Sequence, residues 1–148
     1  MLILMRHGEA GWDASNDRQR ILTSAGVTYV ERQIAHYQQS LLSVEKIISS
    51  SYVRAVQTAS QVSGLVPGVE RVVDDRWSPD ASLSDAVAAL EEHWVDNLLV
   101  VTHQPLIGYA VPFLTEGVIH TPEPLLPGQL VVLDLLWPAS ASAIRLSL

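Results

Sequence analysis

The chain has 148 residues, no cysteine and a formal net charge of −7. This length is typical of one domain that buries its own core, and the lack of cysteine excludes disulfide frameworks, thiolate zinc sites and cysteine nucleophiles. Because Lys46 is the one lysine among nine basic residues, the composition argues against general binding of nucleic acids or anionic membranes.

No apolar segment reaches the length of a membrane span, so we expect no contact with a membrane. Residues 1–5 are apolar but lack the basic flank and the long apolar stretch of a secretory signal. We therefore expect a single domain over residues 1–148 that works in the cytoplasm.

The chain begins with a strand pattern, a polar loop and a helix pattern. Residues 2–5 form a continuous apolar run, which predicts a strand buried on both faces, and residues 8–20 predict a loop. Thr23 or Ser24 is suited to cap a helix, and apolar residues then recur at three- and four-residue steps as far as Leu41.

Strand and helix patterns continue to alternate through the middle of the chain. The predicted strands cover residues 46–49, 71–74 and 98–102. The predicted helices between them cover residues 52–65 and 82–94. This alternation is typical of parallel sheets whose successive strands are connected by helices.

The last third of the chain predicts one more helix and a final pair of strands. Pro105 suits the first turn of a helix, where its missing N–H costs nothing. Residues 117–129 are rich in proline and glycine and predict a long irregular loop, and residues 130–136 and 144–148 predict a closing strand pair. The sequence therefore predicts an α/β fold, a three-layer α/β/α sandwich with a mostly parallel central sheet.

Polar side chains follow three of the predicted strands. Arg6 and His7 follow the first strand, Arg54 lies in the first turn after the second, and His103 follows the strand at 98–102. In an open α/β sheet, ligands bind beyond the carboxyl ends of the strands. We therefore expect these four side chains to lie at one edge of the sheet.

These residue types suit phosphoryl transfer. Arginine presents a planar fork to phosphate oxygens, and helix starts add free backbone N–H groups and partial positive charge. A neutral imidazole can attack phosphorus in line, and the guanidiniums of Arg6 and Arg54 disfavour the charged form of His7. We expect Gly8 to let the backbone approach the ligand closely.

Other phosphate chemistries lack their motifs in this chain. There is no Walker A loop around Lys46, no D-x-D motif and no G-x-S-x-G elbow. The spacing of His7 and His103 permits a metal site with a carboxylate, but two adjacent guanidiniums would repel a cation. We therefore expect no metal.

Three ordered motifs resemble those of a known family. The residues after the first strand, RHGEA at 6–10, resemble the opening motif of the histidine phosphatase, or phosphoglycerate mutase-like, superfamily. SSYVRAVQTA at 50–59 and VVTH at 100–103 resemble its second and third motifs. RILT at 20–23 and THQPLIGY at 102–109 are similar to the small SixA-type phosphohistidine phosphatases in particular.

The resemblance implies a role for each matching residue. His7 would be the nucleophile that forms a transient phosphohistidine, and Arg6, Arg54 and His103 would hold the phosphoryl group. Arg20 matches a basic residue of the subgroup that contacts phosphate or substrate. The family reaction uses neither metal nor organic cofactor, and the implied substrate is phosphohistidine on a protein such as a histidine phosphotransfer domain.

One position departs from the family pattern. Many members carry a carboxylate after the third strand that protonates the leaving group, where this chain has Pro79. Asp17, Glu9 and Asp80 are candidate substitutes, although each also reads as a solvated loop charge. A missing acid fits phosphohistidine, because its leaving imidazole needs less help than an alkoxide.

Two other functions are compatible with the same residues. One is a general small-molecule phosphomonoesterase that uses the same residues on a small phosphoester. The other is a phosphate-binding module without catalysis, which has less reason to retain His7. Trp12 and Trp77 are predicted to lie in loops, where they are candidates for contact with a partner protein.

Overall fold

The computed structural model describes residues 1–148 as a six-stranded sheet covered by helices. The strands are β1 (Leu2–Arg6), β2 (Lys46–Ser49), β3 (Glu70–Val73), β4 (Leu98–Thr102), β5 (Leu130–Asp134) and β6 (Ile144–Leu146). The helices are α1 (Ser24–His36), α2 (Gln38–Leu41), α3 (Val53–Ser63), α4 (Leu83–His93) and α5 (Leu106–Glu116). Short 3₁₀ turns cover Asp17–Gln19 and Asp75–Trp77.

The sheet is mostly parallel, as predicted. Its strand order is β3-β2-β4-β1-β5-β6, and the pairs among β3, β2, β4 and β1 are all parallel. β5 and β6 extend the sheet in antiparallel fashion. The closing pair is shorter than predicted, since β5 ends at Asp134 and β6 at Leu146.

Two apolar cores lie on opposite faces of the sheet. Successive side chains of a strand point to opposite faces, so Leu2 and Leu4 pack into the core that includes residues of α4 and α5. Ile3 and Met5 pack into the second core, which includes residues of α1 and α3. The predicted three-layer α/β/α architecture is thereby confirmed, and the central strands are apolar on both faces because both faces are covered.

The first helix begins where the sequence predicts but ends earlier. The Thr23 side chain caps α1 by accepting the Gly26 N–H at 2.9 Å. Tyr37 leaves the helical conformation (φ −101°, ψ 18°), and the single turn of α2 then brings Leu41 into the core. The prediction of one helix to Leu41 is therefore wrong about the backbone but right about which residues face inward. None of the helices is long and apolar enough to cross a membrane.

The two loop tryptophans have opposite environments. Trp77 is fully buried in the core beneath α4, and its carbonyl accepts the Thr102 hydroxyl at 2.7 Å. The prediction that Trp77 is available to a partner is therefore wrong, because the 3₁₀ turn after β3 directs its ring inward. Trp12 is 81% exposed, as a loop residue is expected to be.

Candidate active site

The carboxyl ends of three neighbouring parallel strands bring the predicted side chains together. His7 follows β1 and His103 follows β4, and their ring centroids lie 4.9 Å apart. Arg54, in the first turn of α3, reaches the same place, where its Nε–H donates to His7 Nε2 at 3.2 Å. Residues that are 47 and more positions apart in the chain thus share one buried polar site.

His7 is held in one orientation by two hydrogen bonds. Its Nδ1 lies 2.7 Å from the Gly8 carbonyl oxygen, which can only accept, so Nδ1 carries the proton. Nε2 consequently has a free lone pair, and that lone pair accepts the Arg54 Nε–H. The unprotonated nitrogen is therefore the one beside the guanidinium.

Both histidine rings are neutral at pH 7. The pKa of His7 is lowered to about 4, mainly by burial and also by the charges of Arg54, Arg6 and Arg20, against the opposing effect of the bond to Gly8. Burial also lowers the pKa of His103 to about 2, with His7 and the arginines adding to the effect. The neutral state expected for His7 is confirmed, but desolvation contributes more to it than the guanidiniums do.

Arg54 is only 4% exposed, and each of its three side-chain nitrogens donates a hydrogen bond. Besides His7, it donates from Nη1 to the Asp17 carbonyl at 2.8 Å and from Nη2 to Asp17 Oδ2 at 3.2 Å. Burial alone would raise the pKa of Asp17, but hydrogen bonds from Arg20 and Arg54 outweigh it and hold the pKa below its ordinary value. Asp17 is therefore ionised at neutral pH, an anion seated against the guanidinium.

Arg20 and Arg6 are anchored to the loops around the two rings. Arg20 donates to the Gly11 carbonyl and to Asp17, and its guanidinium stacks on Trp12 at 3.5 Å. Arg6 donates from Nη1 to the Leu125 carbonyl at 2.5 Å, while its buried Nε has no partner. Both cations therefore add positive charge to the surroundings of His7, and this charge lowers the pKa of its ring.

Gly8 lies close to the residues that begin α1. A Cβ at this position would meet Val30 Cγ2 at 3.0 Å, Leu22 Cδ2 at 3.2 Å and the Gly26 carbonyl at 3.3 Å. Its missing side chain therefore makes room for α1 and for Leu22 just before it. Gly26 is tighter still, since its Cβ would lie 2.3 Å from the Glu9 carbonyl oxygen.

The remaining candidate acids lie in different surroundings. Glu9 Oε1 accepts the Thr23 hydroxyl at 2.9 Å, and Glu9 also lines a cleft of about 640 Å³ beside α1. Asp80 Oδ1 accepts the Ser78 hydroxyl at 3.0 Å. Neither carboxylate has a hydrogen bond to His7 or His103, so neither is linked to the rings as Asp17 is through Arg54.

Two buried hydroxyls, neither of them predicted from the sequence, complete the site. Ser50, directly after β2, lies 2.6 Å from His103 Nε2, while His103 Nδ1 is buried without a partner. Thr58 Oγ1 accepts the Gly8 N–H at 3.0 Å. The signal for Thr58 is its spacing, four residues after Arg54, which places both on one face of α3.

The ligand chemistry of the region favours an anion. Two neutral rings beside Arg6 and Arg54 are poor surroundings for a cation. Asp74, Glu92 and His93 lie close enough together to share an ion. The Arg76 guanidinium, however, already binds both of those carboxylates.

The chain is similar to known proteins along most of its length. Residues 2–78 match the model of the histidine phosphatase superfamily (branch 1). The phosphohistidine phosphatase SixA of Escherichia coli strain K12 is 31% identical over 120 residues, covering 78% of this chain and 74% of that protein. The SixA homolog of Haemophilus influenzae is 29% identical over 154 residues, covering 97% and 92%.

A solved structure is similar over almost the whole fold. The protein histidine phosphatase SixA in complex with tungstate superposes with a TM-score of 0.83 at 26% identity. The match covers 99% of this chain and 94% of that one. The similarity therefore includes α4, α5 and the last three strands, which lie beyond the residues matched by the family model.

Proposed function

Because the chain belongs to the histidine phosphatase superfamily, we propose that it hydrolyses phosphohistidine on a protein substrate through a covalent intermediate on His7. The observation that carries the proposal is the buried, neutral His7, whose unprotonated Nε2 lies 3.2 Å from Arg54 Nε. An unprotonated nitrogen beside fixed positive charge is what attack on an anionic phosphoryl group requires. The SixA proteins to which the chain is similar support this choice of substrate.

The reaction takes two displacements. His7 Nε2 attacks phosphorus, a new N–P bond forms and the N–P bond of the substrate breaks. The substrate imidazole leaves and takes a proton from solvent, which the hydrolysis step later returns. Water then attacks the phosphorus on His7, which releases inorganic phosphate and restores the neutral ring. Arg6, Arg54 and His103 hold the phosphoryl oxygens, and Arg20 adds positive charge at the mouth of the site.

Asp17 has a different role from that of a proton donor. Its carboxylate is ionised and bound by Arg20 and Arg54, so it has no proton to give at neutral pH. The arriving phosphoryl group takes over the Arg54 donors from Asp17, which is 54% exposed and free to turn outward. The site then acts without a strong acid, which favours an imidazole over an alkoxide as leaving group.

The partner that we propose is a histidine phosphotransfer domain in the cytoplasm. Phosphohistidine on such a domain is carried by a protein surface, so the enzyme must admit a large substrate. The cleft beside α1 has charges of both signs in its walls, from Glu9 and Arg32, and Glu9 lies two residues after His7. These features support a protein rather than an enclosed small molecule as the substrate.

Substrate preference tests the proposal directly. The protein is incubated with a phosphorylated histidine phosphotransfer domain and, separately, with p-nitrophenyl phosphate. We expect rapid loss of phosphate from the domain and slow turnover of the ester. The opposite preference would support a general phosphomonoesterase, and no turnover of either would support a phosphate-binding module.

The chemical stability of the labelled enzyme tests the intermediate. A rapid quench with labelled substrate should trap a phosphoenzyme that is labile in acid and stable in alkali, as a phosphoramidate is. The label should map to the peptide that contains His7. An acid-stable adduct would identify another nucleophile and overturn the assignment of His7.

A further inference from the structure

Four hydrogen bonds form a closed ring through the proposed nucleophile. Arg54 Nε–H donates to His7 Nε2 at 3.2 Å, and His7 Nδ1–H donates to the Gly8 carbonyl at 2.7 Å. The Gly8 N–H donates to Thr58 Oγ1 at 3.0 Å, and the Thr58 hydroxyl donates to the Arg54 carbonyl at 2.8 Å. The ring therefore starts at the side chain of Arg54 and returns to its backbone.

The ring is buried, so water does not replace its members. The Thr58 side chain is fully buried, and Arg54 and His7 are 4% and 7% exposed. A buried donor that loses its partner is left unsatisfied at a substantial cost in free energy. Hydrogen bonds that point in one direction around a chain also polarise and strengthen one another.

We propose that Thr58 is a positioning residue that fixes the tautomer and place of the His7 ring through Gly8, an inference that rests on the proposed role of His7 as nucleophile. The Thr58 hydroxyl has one proton, which the Arg54 carbonyl one turn earlier accepts. Its oxygen is then the acceptor for the Gly8 N–H. Gly8, whose carbonyl accepts the His7 Nδ1–H, is thus tied through Thr58 to α3, the helix that carries Arg54.

The direction of donation decides which nitrogen of His7 is free to attack. With Gly8 held by Thr58, its carbonyl keeps the proton on Nδ1 and leaves the lone pair on Nε2 beside Arg54. Without the hydroxyl, the turn at Gly8 loses its tether to α3. His7 can then move or exchange its proton to Nε2, where it blocks attack.

A matched pair of threonine variants tests this role. Thr115, in α5, makes the same bond to the carbonyl four residues earlier, Val111, at 2.9 Å, but it has no link to the site. Thr58→Val and Thr115→Val each replace a helical threonine by a residue of similar shape without a hydroxyl. Thr58→Ser restores the hydroxyl at the first position.

Two measurements are made on each variant. The first is turnover, with the phosphorylated histidine phosphotransfer domain as substrate and with p-nitrophenyl phosphate as a small reporter. The values of kcat and KM are determined separately. We expect Thr58→Val to lower kcat by about 10-fold to 100-fold, as misplacement of a reacting group does, with little change in KM. Thr58→Ser should recover most of the loss, and Thr115→Val should keep the parent kcat.

The second measurement is the ¹⁵N spectrum of the His7 ring in the protein without substrate. The parent chain and Thr115→Val should show the proton on Nδ1, and Thr58→Val should show a mixture of tautomers. Because this readout needs no turnover, it stands even if the proposed function fails. Equal ring spectra and equal kcat for the two valine variants would overturn the role of Thr58.

Hydrogen exchange in the parent chain covers the case in which Thr58→Val does not fold. The Gly8 amide should then be among the slowly exchanging amides of the protein, because its acceptor is a buried hydroxyl. Rapid exchange of that amide in the folded parent chain would overturn the ring without the use of any variant.

Discussion

Two clusters of charged and polar side chains lie beyond the carboxyl ends of strands, and they are built differently. The cluster that follows β3, here the Asp74 cluster, consists of Asp74, Arg76, Glu92 and His93. Arg76 binds Asp74 at 2.7 Å and also binds Glu92, while His93 lies 3.1 Å from Asp74. Positive and negative charges are paired there within one network, in which Arg76 binds both carboxylates.

At the site around His7, positive charge exceeds negative charge. Arg54 and Arg20 share the carboxylate of Asp17, and Arg6 makes its side-chain bond to a carbonyl. Two buried nitrogens, Arg6 Nε and His103 Nδ1, have no partner. Matched charges serve stability, whereas unmatched positive charge and open donors lower stability but suit an anion.

Among the variants that test this comparison, removal of the proposed nucleophile has the largest expected effect. His7→Ala should abolish turnover and labelling of the enzyme, because the covalent route needs the imidazole nitrogen. His36→Ala, which removes an exposed ring on α1, is the control and should keep full activity. A labelled His7→Ala protein would show that another residue is the nucleophile.

Loss of the buried guanidinium is the next largest effect. Arg54→Ala should lower kcat by about 10²-fold to 10³-fold, as loss of one fixed donor to a charged transition state does. Arg71→Ala removes an exposed arginine that bonds to the outer side of α3 and serves as the matched control. Full activity of Arg54→Ala would rule out its role in holding the phosphoryl group.

The pH dependence of stability separates the two clusters. The folded pKa of His7 is about 4, below its ordinary 6.5, so the unfolded chain binds more protons between these values. The free energy of unfolding should therefore fall as pH drops from about 6.5 to about 4, by roughly 3 kcal/mol for this residue. Urea unfolding at a series of pH values should show a weaker slope for His7→Ala and the parent slope for His36→Ala.

Asp74 should act on stability alone and at lower pH. Hydrogen bonds from the Arg76 side chain lower its pKa to about 2, from 3.8, against a smaller opposing effect of burial. Its contribution is thus complete above pH 3.8 and is lost as pH falls towards 2. Asp74→Asn should lower the free energy of unfolding at pH 7 by about 1 to 2 kcal/mol after solvent screening.

Turnover by the same variant decides whether the two clusters are independent. Asp74→Asn should keep the parent kcat, and Asp134→Asn, at the exposed end of β5, should keep both the parent kcat and the parent stability. A loss of kcat in Asp74→Asn comparable to that of Arg54→Ala would join the Asp74 cluster to the site and remove the distinction.

Much of the architecture follows from local patterns in the sequence. The strand predicted at 98–102 has the observed bounds of β4, and the helix predicted at 52–65 contains α3. Such elements are predictable because burial on one or two faces imposes a period on neighbouring residues. The positions of His7, Arg54 and His103 after three predicted parallel strands then predict that they meet at one edge, since parallel strands end on the same side.

The sequence by itself determined the kinds of side chain at the site and the sheet edge at which they meet. Only the tertiary structure decided that Asp17 pairs with Arg54, that Gly8 makes room for α1, that Trp77 is buried and that Thr58 connects Gly8 to Arg54. Periodicity reports the average environment of a face, whereas hydrogen bonds and close contacts depend on atomic distances between segments far apart in the chain. Those distances exist only once both layers of helices have packed on the sheet.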